Sequence, residues 1–293
     1  EFVDDFNPPR PTPSETIDAP GARWDSALGG LSGLHYDDPS STLYAVSDLP
    51  RRFEPRLYTF AIELTDTSLR LTPKSVRFFH ESEPSSLLDG LDAESIAGDG
   101  RGVFYIGTEN GPERPNQTVP RILRVQADGR ITGALSLPEA YLPTPDAAPR
   151  GTRSNRAFEG LALSPSGRWL AAIIESSLHQ DGDEASFEHG AVVRLLRWDM
   201  SAPGVPAEYF YPIEPIPRPS TGTPMDGNNG VSELIWLDER RLLVLERAYV
   251  PLAEGHGPNT IRIYEVAIAD EPAPRDDPPR PLSKRLVLDL DEI

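Results

Sequence analysis

The sequence predicts an all-β fold, a β-propeller of four-stranded antiparallel blades, from three observations. A short apolar motif occurs four times, each copy is followed by three further strand-like runs, and helical periodicity is nearly absent. The motif stands at Leu31-Ser32-Gly33-Leu34, Ala93-Glu94-Ser95-Ile96, Phe158-Glu159-Gly160-Leu161 and Val231-Ser232-Glu233-Leu234. Its spacing, about 60 to 75 residues, is somewhat longer than a common propeller blade.

Each motif opens a first strand. A polar turn follows, at Asp37 to Ser41, Gly98 to Gly102, Ser164 to Arg168 and Asp238 to Arg241, and these match hairpin connections in length and composition. The turns lead into second runs at Leu43 to Val46, Phe104 to Gly107, Trp169 to Ile174 and Leu242 to Leu245. Third strands are expected at Arg56 to Leu64, Arg121 to Gln126, Ala191 to Trp198 and Thr260 to Ala267, and fourth strands at Ser75 to His80, Ile131 to Leu137, Glu208 to Ile213 and Arg285 to Leu290. A β-sandwich is the competing arrangement, because evenly spaced turns also describe sandwiches.

Composition agrees with many short elements. Thirty-two Pro and 23 Gly suit turns and oppose long helices, since a Pro in a helix interior costs about 3 kcal/mol. Residues 1–22 read as a Pro-rich segment and 23–293 as the propeller domain, with repeats starting near 30, 92, 157 and 230. A net charge of −18 disfavours nucleic acid and anionic membranes, and it favours a cation. The absence of Cys removes disulfides, thiolate nucleophiles and Cys-ligated zinc. No apolar run reaches the roughly 18 residues that cross a bilayer. The first residue is Glu1, with no initiator Met, and we read the chain as exported, secreted or periplasmic, with its signal peptide outside this sequence.

Strand order decides which side chains can meet. In an up-and-down blade the start of the first strand and the end of the second lie at the same end of the sheet. Glu94, Glu159 and Glu233 occupy first-strand starts, and Asp48, Glu109, Glu175 and Glu246 occupy second-strand ends. First strands line the axis, so these seven carboxylates are expected at one mouth, with Glu94, Glu159 and Glu233 approaching one another. Such crowding is relieved by protonation, by Arg or by a bound cation, and a hard oxygen donor set suits Ca²⁺. Arg156 and Arg247 adjoin the acids and are candidates, with Glu159, for a catalytic role. Arg51, Arg52, Asn110 and Asn155 are candidates for substrate binding. The long segments Pro138 to Asn155, Ser177 to Gly190 and Pro212 to Asn229 should emerge at the same mouth, where binding loops usually gather.

At these residues the chain resembles the phytase-like family described as having esterase-like activity. The resemblance rests on Gly29-Gly30-Leu31-Ser32-Gly33-Leu34 with Ser47-Asp48, on Asp92-Ala93-Glu94-Ser95-Ile96 with Glu109-Asn110-Gly111, on Asn155-Arg156-Ala157-Phe158-Glu159-Gly160-Leu161 with Glu175, and on Val231-Ser232-Glu233-Leu234 with Glu246-Arg247. It implies a secreted or periplasmic propeller that hydrolyses phosphate monoesters or related esters with Ca²⁺. Members typically carry a further unit with an Asp-Asn-x-Glu-Gly signature that this sequence lacks. Either a closing blade is missing, or the N-terminal segment completes the ring.

Other motifs point elsewhere only weakly. Asp181-Gly182-Asp183-Glu184 echoes a calcium loop but lacks the glutamate that completes an EF-hand, so it reads as a solvated loop. The five His show no zinc-protease spacing. Ser32 and Ser232 lack the flanking glycines of a nucleophile elbow, which leaves a metal-activated water as the simpler chemistry. Two competing functions stay open: a non-catalytic propeller binding a protein or carbohydrate, and a lactonase-like metal enzyme. The expected partner of an enzyme is a small ester or phosphoester, and the oligomeric state is left undetermined by the sequence.

Overall fold

The computed structural model describes residues 30–47, 55–81, 91–109, 119–144, 148–202, 204–269 and 280–293. Sixteen strands form four antiparallel sheets of four, each a simple meander, and the sheets are the blades of a four-bladed β-propeller. The first blade comprises β1 (Leu31–Asp37), β2 (Thr42–Ser47), β3 (Arg56–Leu64) and β4 (Leu69–Phe78). The second comprises β5 (Ala93–Gly98), β6 (Val103–Thr108), β7 (Ile122–Gln126) and β8 (Ile131–Ala134). The third comprises β9 (Phe158–Leu163), β10 (Trp169–Ile174), β11 (Ala191–Asp199) and β12 (Ala207–Ile213). The fourth comprises β13 (Asn228–Trp236), β14 (Arg241–Tyr249), β15 (Asn259–Ala267) and β16 (Lys284–Asp289).

The first strand of each blade is innermost. β1 packs on β5, β5 on β9 and β9 on β13. Backbones approach closely along this series, and glycine permits it. A Cβ at Gly33 would lie 2.6 Å from Ser95 Cα, and one at Gly160 would lie 3.0 Å from the Leu234 nitrogen. Apolar layers fill the spaces between blades. Val46 and Leu57 meet Ala93, Ile96 and Phe104 between the first two blades, while a larger cluster centred on β9 and β10 joins the second, third and fourth. Strand β10 is buried along almost its whole length, which explains why Trp169 to Ile174 reads as a continuous apolar run.

The short turns between first and second strands are held by local acids. Asp99 Oδ1 accepts the Arg101 and Val103 amides at 2.8 and 2.9 Å, and Asp238 Oδ1 accepts those of Arg240 and Arg241, both at 2.9 Å. Two outer strands differ from expectation: β8 stops at Ala134, short of the expected Leu137, and β4 spans Leu69–Phe78, starting well before the expected Ser75. An edge strand tolerates the charged residues and Pro73 of β4, and the β3–β4 pairing takes up an irregularity at Thr59/Phe60.

Candidate functional site

The pairing register at the mouth determines which acids converge. Each inner hairpin carries one extra residue on its first strand: between Leu31 and Leu34, between Ala93 and Ser95, opposite the Ile173/Ile174 step, and between Val231 and Glu233. A bulge of this kind re-aims a side chain. The extra residue is Glu94 in the second blade, Glu159 in the third and Ser232 in the fourth.

Glu233 therefore departs from the expected equivalence with Glu94 and Glu159. It pairs with Leu245, one place further along, where the second and third blades have Ser95 and Gly160. Its Oε1 accepts the Leu234 amide at 2.9 Å. Burial pushes its carboxyl up to about 8, while the amides of Leu234 and Leu161 pull the other way, and no second carboxylate contributes.

The second strands show the same offset. Ser47 pairs with Leu31, Thr108 with Ala93, Ile174 with Phe158 and Glu246 with Val231. The residues that follow are Asp48, Glu109, Glu175 and Arg247. In the fourth blade the equivalent of Glu109 and Glu175 is thus Arg247, and Glu246 turns inward instead. Glu246 accepts hydrogen bonds from Tyr211 Oη at 2.7 Å, the Glu214 amide at 3.2 Å and Asn229 Nδ2 at 3.4 Å, and it pairs with Lys284. It stands outside the carboxylate cluster.

That cluster has two overlapping parts. Carboxylate oxygens of Glu109, Glu159 and Glu175 lie within 4.8 Å of one another, and so do those of Asp92, Glu94 and Glu109. Glu109 belongs to both and is fully buried. Its Oε1 accepts the Ala157 amide from the start of the next inner strand at 2.6 Å. Ser32 of the first blade donates to Glu94. Asp92 was not singled out from sequence as a ligand, although it lies two places before Glu94 at the mouth of β5.

Charge in the cluster is only partly compensated. Burial first, then Glu94 and Glu175, push the Glu109 carboxyl up to about 8 against the pull of the Ala157 amide and Arg156. Burial and the surrounding Glu109, Glu94 and Glu175 hold Glu159 well above the usual carboxylate range, with Arg247 opposing. Burial also raises Glu175, despite Arg156 and Arg247.

The two arginines are placed differently. Arg156 Nη1 donates to both Glu175 oxygens at 3.1 and 3.0 Å, and its Nε lies 3.5 Å from Glu184 Oε1, which also accepts from Ser176 Oγ at 3.1 Å. Glu184 thereby ties the loop after β10 to the cluster. Asp181, in the same acidic run, is bound by Arg194 at 2.6 and 2.7 Å. Asn155 is exposed, adopts a left-handed conformation with φ 55°, and its carbonyl accepts from Arg156 at 3.2 Å. Arg247 is exposed, and its side chain makes no hydrogen bond or salt bridge among the described residues. Asp48, Arg51, Arg52 and Asn110 lie outside the described residues.

Comparison with known proteins places the chain in a family. Residues 26–293 match the family described as "Phytase-like: Esterase-like activity of phytase". An uncharacterized secreted protein of Arthroderma benhamiae is 25% identical over 183 residues, covering 54% of this chain and 34% of the relative, so the chain spans about a third of that relative's length. Two solved structures are distantly alike. A putative exo-β-1,3-galactanase from Bifidobacterium bifidum s17 has a TM-score of 0.38 and 10% identity, covering 89% of this chain and 92% of its own. KlHsv2 with loop 6CD replaced by a Gly-Ser linker has a TM-score of 0.32 and 8% identity, covering 89% and 71%.

Proposed function

The chain belongs to the phytase-like family, and from that premise we propose that it is a secreted, metal-dependent hydrolase of phosphate monoesters or related esters. The observation that carries this reading is the shared position of Glu109 in two largely buried carboxylate triads, in which Glu175 has an arginine bonded to it and Glu159 has none among the described residues. The donor set fits a hard divalent cation. Every candidate ligand is a carboxylate oxygen, and Ca²⁺ accepts six to eight such donors in flexible geometry. Asp92, Glu94, Glu109, Glu159 and Glu175 would hold it. When bound, such a cation polarises a phosphoryl or carbonyl oxygen and makes a water more acidic.

The chain's own residues keep the donors in place. The Ala157 amide fixes one oxygen of Glu109, Ser32 fixes Glu94, and Arg156 holds both oxygens of Glu175 while Glu184 holds Arg156. The Glu159 side chain makes no hydrogen bond among the described residues, which leaves both its oxygens available to a cation. Arg156 acts by positioning, since its guanidinium is already engaged.

The test is an assay of metal-depleted protein, with and without restored Ca²⁺, against an aryl phosphate, a carboxylic ester and a lactone. Ca²⁺-dependent turnover of the phosphate supports the reading. Turnover of the lactone alone would make this a lactonase-like enzyme, and no turnover of any substrate would return it to the class of binding propellers.

A further inference from the structure

One position at the end of the second strand reverses its charge in the fourth blade. After the second-strand pairing residue, the second and third blades place an acid, Glu109 and Glu175, the sequence of the first continues with Asp48, and the fourth blade places Arg247. The neighbouring backbone makes room for this arrangement. Arg247 pairs across β13–β14 with Gly230, where an added Cβ would lie 2.7 Å from Glu175 Cγ. Arg247 thus projects from the strand pair against which Glu175 packs, and it is close enough to lower both Glu159 and Glu175.

Three other cations among the described residues are engaged. Arg156 is held by Glu175 and Glu184, Arg153 donates to the carbonyls of Ser177 and Gly182 at 2.9 and 2.7 Å, and Lys284 pairs with Glu246 and Glu214. Arg247 is exposed and has no such partner among the described residues. A planar guanidinium is matched to the paired oxygens of phosphate or carboxylate.

We propose that Arg247 anchors an oxyanion that the substrate carries before reaction, so that the preferred substrates are phosphate monoesters and not neutral esters or lactones. This deepens the hydrolase reading and rests on it. A dianion approaching an acid-lined mouth is repelled unless a cation meets it, whereas a neutral ester gains little from a guanidinium. Arg247 therefore selects for charge, and Arg156 orders the donors behind it.

The experiment uses phenylphosphonate, a non-hydrolysable mimic of an aryl phosphate, titrated calorimetrically into wild type, Arg247→Gln and Arg156→Gln, in Ca²⁺ and in chelator. Separate Ca²⁺ titrations accompany it. For Arg247→Gln the expected result is about a 10- to 100-fold loss of phenylphosphonate affinity, the range of a charged hydrogen bond. Ca²⁺ affinity should be unchanged or tighter, because a positive charge has been removed, and the melting temperature should be unchanged. KM for an aryl phosphate should rise. Arg156→Gln should lower the melting temperature, because it leaves Glu175 unpaired. Equal phenylphosphonate affinity in wild type and Arg247→Gln overturns the proposal, as does a parallel loss of Ca²⁺ affinity. A wild type that binds no Ca²⁺ contradicts the metal reading alone. The chelator arm then decides Arg247: a loss of affinity in the variant keeps the anchor, and equality removes it.

Discussion

Lys284 of the last strand and Glu246 of β14 pair inside the protein, with 8% and 2% of their side chains exposed. The Lys284 ammonium also lies 4.0 Å from the centre of the Tyr264 ring and 3.1 Å from Glu214. This network joins β16 to the space between the third and fourth blades. Glu246 thus belongs to the packing of the fold and not to the mouth.

Lys284→Met should therefore destabilise the protein by about 3–5 kcal/mol, since it leaves a buried carboxylate without its partner. Ca²⁺ affinity should stay at the wild-type value. Urea unfolding and calorimetry check the two halves separately, and a large loss of Ca²⁺ binding in a folded variant would return Glu246 to the metal site.

Stability of the metal-free protein should fall as pH rises. Glu109 is raised from 4.5 to about 8, and Glu159 and Glu175 shift in the same direction. Between these values the folded chain holds protons that the unfolded chain has released, so each step up in pH favours unfolding. Melting temperature should decline from about pH 5 to about pH 8 in chelator, and saturating Ca²⁺ should flatten or reverse the slope, because ligation uses the deprotonated form. A metal-free protein that gains stability over this range would show that the carboxylates are not crowded.

Gly33→Ala should destabilise by about 1–3 kcal/mol, because the new Cβ would lie 2.6 Å from Ser95 Cα and the two inner strands would have to separate. The same displacement would move Ser32 from Glu94, so Ca²⁺ affinity should fall with stability. Thermal denaturation alongside a Ca²⁺ titration measures both.

Much of this was legible in the sequence, and the limits have a physical cause. The repeated motif, the apolar runs and the polar turns located the inner hairpins, because these are buried and their turns are short. The position of Glu94 and Glu159 beside Glu109 and Glu175 followed from meander geometry alone. Glu233 and Glu246 were misplaced because each sits one residue out of register with its counterparts, and the motif itself carries no mark of the bulge that causes the slip. Along a strand one place reverses the face. The slip also concealed Arg247 as the counterpart of the acids, while Glu184 was hidden in a loop whose acids read as solvated.

The most direct test of the central claim, that Glu94, Glu109, Glu159 and Glu175 bind a divalent cation with Asp92, is a calorimetric Ca²⁺ titration of wild type and Glu159→Gln. The substitution preserves shape and removes one ligand charge, on which affinity at oxygen sites depends. The account predicts saturable binding by the wild type and a loss of at least about tenfold in the variant, with the fold intact by near-ultraviolet circular dichroism. Equal Ca²⁺ affinity in the two proteins would contradict it.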